Sequence, residues 1–393
     1  MKEVYEGQIN DQLANEQITL KRIESTSSGV IETVGGKYIV FPIRTQRNHG
    51  ISYRQESAQL AAAGQQGYAA ANEQLKYGYQ RVKLTGQVMS LATSNYQAFA
   101  NALDREINGA KSDVGRDQNR ICYGSNAGAA ANKTGILGAA SAAGATSTIT
   151  FAAGDTYLLE PGMVVDIVDP ATGTPVSGGT SRTIQTVTNT TAVLDAAVAG
   201  TVIGSCLVRT GNYNNEPYGL TQIVSASGAL HGLNPATAGQ GVWASTVDST
   251  TTTLTEMPMV AVCDNIYRAS GGKPTAIFAS LGVRRSYFGL MTSLRRYNEP
   301  KSFSGGLIGL AFNYGMEIPV VADMDVPAKN MFFLTESEIK MFRDKPWYWE
   351  DIDGAVWKYV HDYDIFEALL KCYWQLGTHQ RNTHGRMTNV TES

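Results

Sequence analysis

Few residues in this sequence have the types and spacing that chemistry requires. Ser270-Gly271-Gly272-Lys273-Pro274-Thr275 sets a lysine behind paired glycines, the raw material of a phosphate cradle. The spacing is not G-x-x-x-x-G-K-[ST], and Pro274 lacks an N–H that such a cradle uses, so a helix-ending turn explains it better. Gly305-Gly306-Leu307-Ile308-Gly309 lacks the strand–turn–helix setting of a dinucleotide site. Asp351-Ile352-Asp353-Gly354 and Asp323-Met324-Asp325 offer carboxylates to a cation. The first lacks the other ligands of a calcium loop, and solvated turns account for both. The five histidines (His49, His231, His361, His379, His384) show no metal-ligand spacing, and His379 and His384 fall in a polar tail. Cys122, Cys206, Cys263 and Cys372 lie far apart, mostly beside apolar residues, and read as reduced thiols. Trp347, Tyr348, Trp349, Trp357 and Tyr359 have the rings to stack on bases, but their place beside a hairpin favours cross-strand packing. The expectation is therefore a protein that is not an enzyme, with no catalytic, cofactor or metal site.

Composition points the same way. Charged residues are 17% of the 393-residue chain, against roughly 25% in an average soluble domain. Glycine is abundant at 40 residues and proline scarce at 12. Few charges and many small residues suit a protein whose surface is covered by neighbours, and equally a loop-rich secreted β protein. The net charge of -3 lacks the basic footprint of a sequence-specific DNA binder. The start, Met1-Lys2-Glu3-Val4-Tyr5-Glu6, is polar, and no stretch approaches the ~18 apolar residues of a membrane span. Folding in a cytoplasm, with no membrane partner, is expected.

The elements that would position any site read as follows. Residues 1–35 form an arm with helical spacing over Glu3 to Asn15 and too little apolar matter for a core. Over 36–92, Lys37–Ile43 reads as one strand, with Pro42 suited to an edge, and Leu75–Leu84 as a second. Between them, from Ser57 to Asn72, the only bulky apolar or aromatic groups are Leu60 and Tyr68. Such a hairpin is marginal alone. Unless it is a disordered insertion, it must rest on another surface, that of a neighbouring copy rather than its own body. Over 93–123, Tyr96, Phe99, Leu103, Ile107, Ala110 and Val114 mark one stripe of a long helix, with Ser94 and Gln97 as a capping box. Residues 124–145 are an Ala/Gly linker. Short strand-like runs between Gly, Pro and Asp turns make 146–222 an inserted β-rich unit, a barrel or sandwich. In 223–335 we expect helices over Thr255–Ala269 and from Ser280 towards Arg296, and strands at Thr275–Ala279, Glu317–Val321 and Met331–Leu334. In 336–393, Asp353-Gly354 signals a hairpin turn. Alternation from Phe366 to Leu376 signals a long strand, with a helix over 363–372 as the alternative. The tail after Thr378 is expected to be loosely held.

This order of parts resembles the HK97-like major capsid proteins of tailed phages. Gly35–Ile43 followed by Arg47-Asn48-His49-Gly50 is similar to the start of that family's extended loop, and Lys76-Tyr77-Gly78-Tyr79 with Leu84-Thr85-Gly86 to its return. Asn119-Arg120-Ile121-Cys122-Tyr123-Gly124 resembles the end of the spine helix. Glu216-Pro217-Tyr218-Gly219-Leu220, Gly305–Leu310 and Asp353-Gly354 also fit the pattern. The resemblance implies an α+β HK97-like fold with an N-terminal arm, an extended loop (E-loop), a spine helix, peripheral (P) and axial (A) domains and a small inserted β-barrel-like domain. The A domain would fall mainly in 223–335, and 336–393 would supply the return sheet of the P domain and the C-terminal tail. It further implies a virion shell subunit that forms hexamers and pentamers around double-stranded DNA, assembled in the host cytoplasm. Portal, scaffold or maturation proteins, and decoration proteins, are implied partners. The DNA would be contacted non-specifically, and a near-neutral lining would avoid trapping its phosphates. Arg54, Glu56, Leu60, Tyr68 and Lys76 are the expected intersubunit contacts of the loop. Lys76 and Lys83 lie in the return strand, so no covalent cross-link is expected, and no fused scaffold segment is evident before the arm. The rival readings are an encapsulin-like compartment on the same fold and a β-rich hydrolase or adhesin.

Overall fold

A computed structural model describes residues 16–26, 30–32, 38–87, 96–124, 133–294, 310–351 and 354–392. The helical reading of 3–15, the Ser94 cap, the glycines at 305–309, Asp353 and residues 125–132 of the Ala/Gly linker lie outside the described residues.

The axis of the molecule is a 28-residue helix, α2 (Tyr96–Tyr123), preceded by a short helix α1 (Ile18–Ser25) that packs on it. At about 1.5 Å per residue α2 spans roughly 42 Å. Ala110, Val114 and the turn from Ile121 to Tyr123 are buried, continuing the apolar stripe read from the sequence. The helix stops at Gly124, whose φ of +81° is left-handed and whose missing Cβ leaves room for Thr221 and Gln222.

Among the described residues the strands form three six-stranded sheets and one two-stranded ribbon. The first gathers β1 (Val30–Glu32), β4 (Lys76–Thr85), β16 (Ile339–Arg343), β17 (Tyr348–Trp349) and β18 (Trp357–Tyr359) around the 14-residue β19 (Ile365–Thr378). In β19 Ala368, Leu370, Cys372, Trp374 and Leu376 are buried, so period-two burial excludes the helical alternative over 363–372. Tyr348 and Trp349 pair with Lys371 and Leu370, and Trp357 with Ala368, which makes the aromatic cluster cross-strand packing.

The second sheet has the order β5 (Ile136–Ala139), β10 (Cys206–Arg209), β7 (Val164–Val168), β8 (Arg182–Val187), β9 (Thr191–Leu194), β6 (Thr148–Thr150). A bridge between Ala140 and Phe151 joins its two edge strands, so the sheet closes into a small barrel. Leu137, Phe151, Val165, Ile167, Ile184, Leu194 and Leu207 fill it. β5 corrects the linker reading of 124–145: within that Ala/Gly-rich stretch Ile136 and Leu137 form a strand and are wholly buried in the barrel wall.

The third sheet has the order β11 (Thr246–Asp248), β20 (Gly385–Met387), β15 (Met331–Leu334), β12 (Ala276–Ala279), β14 (Glu317–Ala322), β13 (Leu310–Asn313). Helices α3 (Glu256–Ser270) and α4 (Leu281–Leu294) cover it through Met259, Val262, Cys263, Ile266, Val283 and Tyr287. Pro258 is tolerated because it falls in the first turn of α3, where its missing N–H has no helical partner. β20 overturns the expected loose tail. The segment after Thr378 crosses to this third sheet and pairs parallel with β11 and antiparallel with β15.

The E-loop segment also differs from expectation. Its first strand, β2 (Tyr38–Gln46), pairs with β3 (Gly67–Gln74), which occupies part of the stretch read as a coreless tip. The expected partner, Leu75–Leu84, instead becomes β4 and pairs with β19 over ten residues. The chain leaves the ribbon at Leu75 and enters the body sheet at once.

Candidate assembly surface

The β2–β3 ribbon is two-faced. In β2, Tyr38, Val40, Pro42, Arg44 and Gln46 are exposed, while Ile39, Phe41, Ile43 and Thr45 are half-buried. Register puts Phe41 opposite Ala71 and Ile43 opposite Ala69 on the inner face. Ala71 is fully buried, and Phe41, Ile43 and Ala69 pack against the main core. The sequence expectation that the ribbon rests on a sibling rather than its own body is thus corrected for its base. The alanines of β3 help to allow this, since Ala69 and Ala71 present only methyl groups to the body beside Phe41 and Ile43.

The socket beneath the base is centred on His231, which is fully buried with φ +53°. Its carbonyl accepts the Asn72 N–H at 2.9 Å. Its Nε2 accepts the Thr378 N–H at 3.3 Å, so the ring proton sits on Nδ1 and is donated to Glu73 Oε2 at 3.1 Å. The second Glu73 oxygen accepts from Gln375 Nε2 at 3.2 Å. Phe41 sits among the rings of His379 (5.0 Å between centroids), His231 (5.7 Å) and Phe342 (6.1 Å). Gly377 must be glycine for this fit, because a Cβ there would lie 2.7 Å from the His231 ring.

Beyond Gln46 the chain has no regular structure until Gly67, and its neck is drawn together by Asn48. Asn48 Nδ2 donates to the Gly64 carbonyl and Asn48 Oδ1 accepts the Gly50 N–H, at 2.9 and 2.8 Å. The tip past this neck leaves Ile51, Tyr53 and Leu60 at 80%, 97% and 80% exposure. Of the five expected contact residues, Arg54, Glu56 and Leu60 share this exposed tip, and Tyr68 stands on the outer face of β3 with its hydroxyl donating to Gln66. Lys76 is elsewhere. It lies on β4 in the body sheet, and its ammonium donates to the Asn214 carbonyl at 2.8 Å. The structure thus groups three of the five at the tip, places one on the adjoining strand and separates the fifth.

Two buried polar centres escaped sequence reasoning. At the first, Asp323 and Asp325 meet α1 and α2. Asp323 accepts the Thr19 N–H and hydroxyl at 3.2 and 2.8 Å, and Asn119 Oδ1 accepts the Leu20 N–H at 3.0 Å, so the N-terminus of α1 is capped by residues far off in sequence. Arg116 is paired with Asp325, whose carboxyl burial nonetheless holds above the usual range. The pair read as a solvated turn is therefore a structural clasp. At the second centre, Arg381 is fully buried and donates to five carbonyls, those of Gln222, Ile223, Ser227, Gly228 and Trp243. Neither centre had a periodic signal. Only the Asp-x-Asp spacing of 323–325 was visible, and its meaning was not.

The four thiols are buried and unpaired. Burial pushes Cys206 to about 11 and Cys263 and Cys372 to about 12, far from a nucleophile's range. Among the described residues no group of His, Cys, Asp or Glu is placed to hold a metal, and no helix is long and apolar enough to cross a membrane.

Comparison with known proteins gives a consistent result. The family model described as SU10 major capsid protein matches residues 50–353. No curated protein sequence matches the chain. Among solved structures, the capsid of cyanophage A-1(L) is similar over 100% of this chain and 98% of its own, with a TM-score of 0.64 at 12% identity. The capsid of a native GTA particle is similar over 100% and 96%, with a TM-score of 0.52 at 9% identity. The SrpI encapsulin from Synechococcus elongatus scores 0.44 at 8% identity over 97% and 92%, too remote to weigh in the choice between a virion shell and a compartment. At such identities the likeness establishes the HK97-like fold, and the family match carries the rest.

Proposed function

The chain belongs to the SU10 major capsid protein family, which makes it a shell subunit of the tailed-phage kind, and we propose that its E-loop tip supplies the contact that binds one copy to the next. The supporting observation is the asymmetry of the ribbon. Its base is fixed to the body through Phe41, Ala71 and Glu73, while Ile51, Tyr53 and Leu60 beyond the neck stand largely exposed. Covering each such side chain contributes roughly 1.5–3 kcal/mol before ordering costs. That is modest for one contact and large when every subunit repeats it.

On this reading the subunits associate as hexamers and pentamers into a closed icosahedral shell around double-stranded DNA, assembled in the host cytoplasm. Portal and a scaffold or maturation protein, and in some particles decoration proteins, are the further partners. Arg54, Glu56, Leu60 and Tyr68 are the contact residues. Lys76, engaged with Asn214, supports the sheet beneath the ribbon instead. The work is structural, and no catalytic step is assigned.

The test removes residues 51–63 and joins Gly50 to Gly64, which the Asn48 neck already holds together. The subunit is expected to keep its thermal midpoint and to form no shells by electron microscopy. Normal shells from this variant would overturn the assignment.

A further inference from the structure

Three of the five histidines converge on one corner, where β19 hands over to the C-terminal segment. Thr378 gives its N–H to His231 Nε2 at 3.3 Å, and its hydroxyl lies 3.1 Å from His384 Nε2. His379, the next residue, places its ring against Phe41 at the base of the ribbon. His384 Nδ1 accepts the Thr335 N–H at 3.3 Å. Proton-bearing nitrogens at His231 Nε2 or His384 Nδ1 would set N–H against N–H, so the closed corner requires both rings neutral. Ribbon, β19, β15 and C-terminal strand all depend on this corner.

The groups facing these rings differ. His231 faces Glu73 from the ribbon, with Tyr218 and Trp243 beside it. His379 faces Lys340, Glu338 and His231. His384 faces hydroxyls and backbone only. His231, whose Nδ1 is engaged by Glu73, is left out of the count. The other two resist protonation: burial pushes His384 down to about 3, and burial, then Lys340, lowers His379.

We propose that the Thr378 corner is an acid-operated latch, which on mild acidification releases the ribbon base and the C-terminal segment together while the barrel stays closed. The sign follows from linkage. A histidine held neutral when closed binds a proton once opened, so its stabilising effect is complete above its ordinary pKa near 6.5. That effect is lost progressively as pH falls towards the closed-state value. For His384 each pH unit below about 6.5 raises the opening constant about tenfold, and His379 adds in the same direction. The barrel, residues 136–209, contains no histidine and is the internal reference. The latch stands apart from the E-loop reading: it concerns how the ribbon is held, whatever the tip touches.

The experiment is hydrogen–deuterium exchange of the full chain at pH 7.5, 6.5 and 5.5, corrected for intrinsic exchange. Amides of 38–46, 67–74 and 376–387 are read against barrel strands 164–168 and 206–209. Between pH 7.5 and 5.5 the first set is expected to open about tenfold or more relative to the barrel. In His384→Asn, whose Oδ1 can still accept the Thr335 N–H, the slope should fall to what His379 leaves. His361→Asn, at an exposed histidine, should retain the full slope. If His384→Asn does not fold, His379→Gln is read instead and should reduce the slope. Equal protection at pH 7.5 and 5.5, an undiminished slope in the variant, or parallel loss in the barrel would overturn the latch.

Discussion

Replacing Arg381 tests whether a charge can hold a domain together without a counter-charge. Its guanidinium donates from Nε to Ile223 (2.9 Å), from Nη1 to Gly228 (3.0 Å) and Trp243 (3.3 Å), and from Nη2 to Gln222 (3.0 Å) and Ser227 (3.2 Å). Burial lowers its pKa only to about 10, so it remains charged at neutral pH. Five charge-assisted bonds at roughly 1.5–3 kcal/mol each give a large gross term, and desolvation of the cation removes much of it. The net loss on Arg381→Ala should be about 3–5 kcal/mol, the scale of breaking a buried charged network. Arg381→Lys, with three donors for five acceptors, leaves carbonyls unpaired and should lose about 2–4 kcal/mol. Because the buried core divides into separate clusters, native-state hydrogen exchange in graded urea is the right assay, read at amides 220–224 and 385–387. A loss below about 1 kcal/mol in the alanine variant, or a lysine variant as stable as the parent, would refute the carbonyl-cage argument.

Two further outcomes follow from other buried groups. Asp323→Ala strips the cap from α1, and a loss of about 2–4 kcal/mol in its docking should show as faster tryptic cleavage at Lys21 and Arg22. Undiminished resistance there would mean that the Asp323 cap adds nothing to what the Arg22–Glu336 pair, the Asn119 bond and buried Leu20 and Ile23 already supply. The four thiols, all buried and shifted upward by burial, should resist iodoacetamide at pH 8 in the native chain and react fully in urea. Prompt native alkylation would contradict the burial described.

What the sequence disclosed and what it hid divide along one line. Wherever burial imposes a period, the reading held: the stripe of Ala110 and Val114 on α2, and the alternation from Ala368 to Leu376 on β19. Wherever a segment is placed by pairing or by side chain to backbone bonds, it was lost. β3 is Gly-Tyr-Ala-Ala-Ala-Asn-Glu-Gln, a poor strand by propensity, made a strand by β2 and by the His231 carbonyl. The tail looked solvated because Arg381, Thr383 and His384 are polar, yet all three are buried with their polar atoms paired within the fold. Polar residues that satisfy distant backbone leave no pattern in their own neighbourhood. For the candidate site, the exposed tip was legible from its lack of core residues, while the socket that aims it was not.

That division also explains how the ribbon works as a device. A two-stranded ribbon alone is marginal, and a structureless stretch as long as 47–66 is rare inside a compact domain unless it serves a function or is disordered. Here the base is rigid, tied at Phe41, Ala71 and Glu73, so the direction in which the tip leaves the body is fixed. The tip has no fold of its own to defend, with Tyr53 almost wholly exposed and Ser57 turning at φ +66°. A fixed direction keeps the entropic cost of finding a neighbour small, and a pliable end lets the same residues meet neighbours at slightly different angles. On the proposed reading those are the demands that fivefold and sixfold surroundings place on one sequence. A stiffened tip, with prolines at exposed Ser52 and Gln65, should therefore favour one ring size over the other and yield shells of altered curvature by electron microscopy. Shells indistinguishable from the parent would show that pliability plays no part.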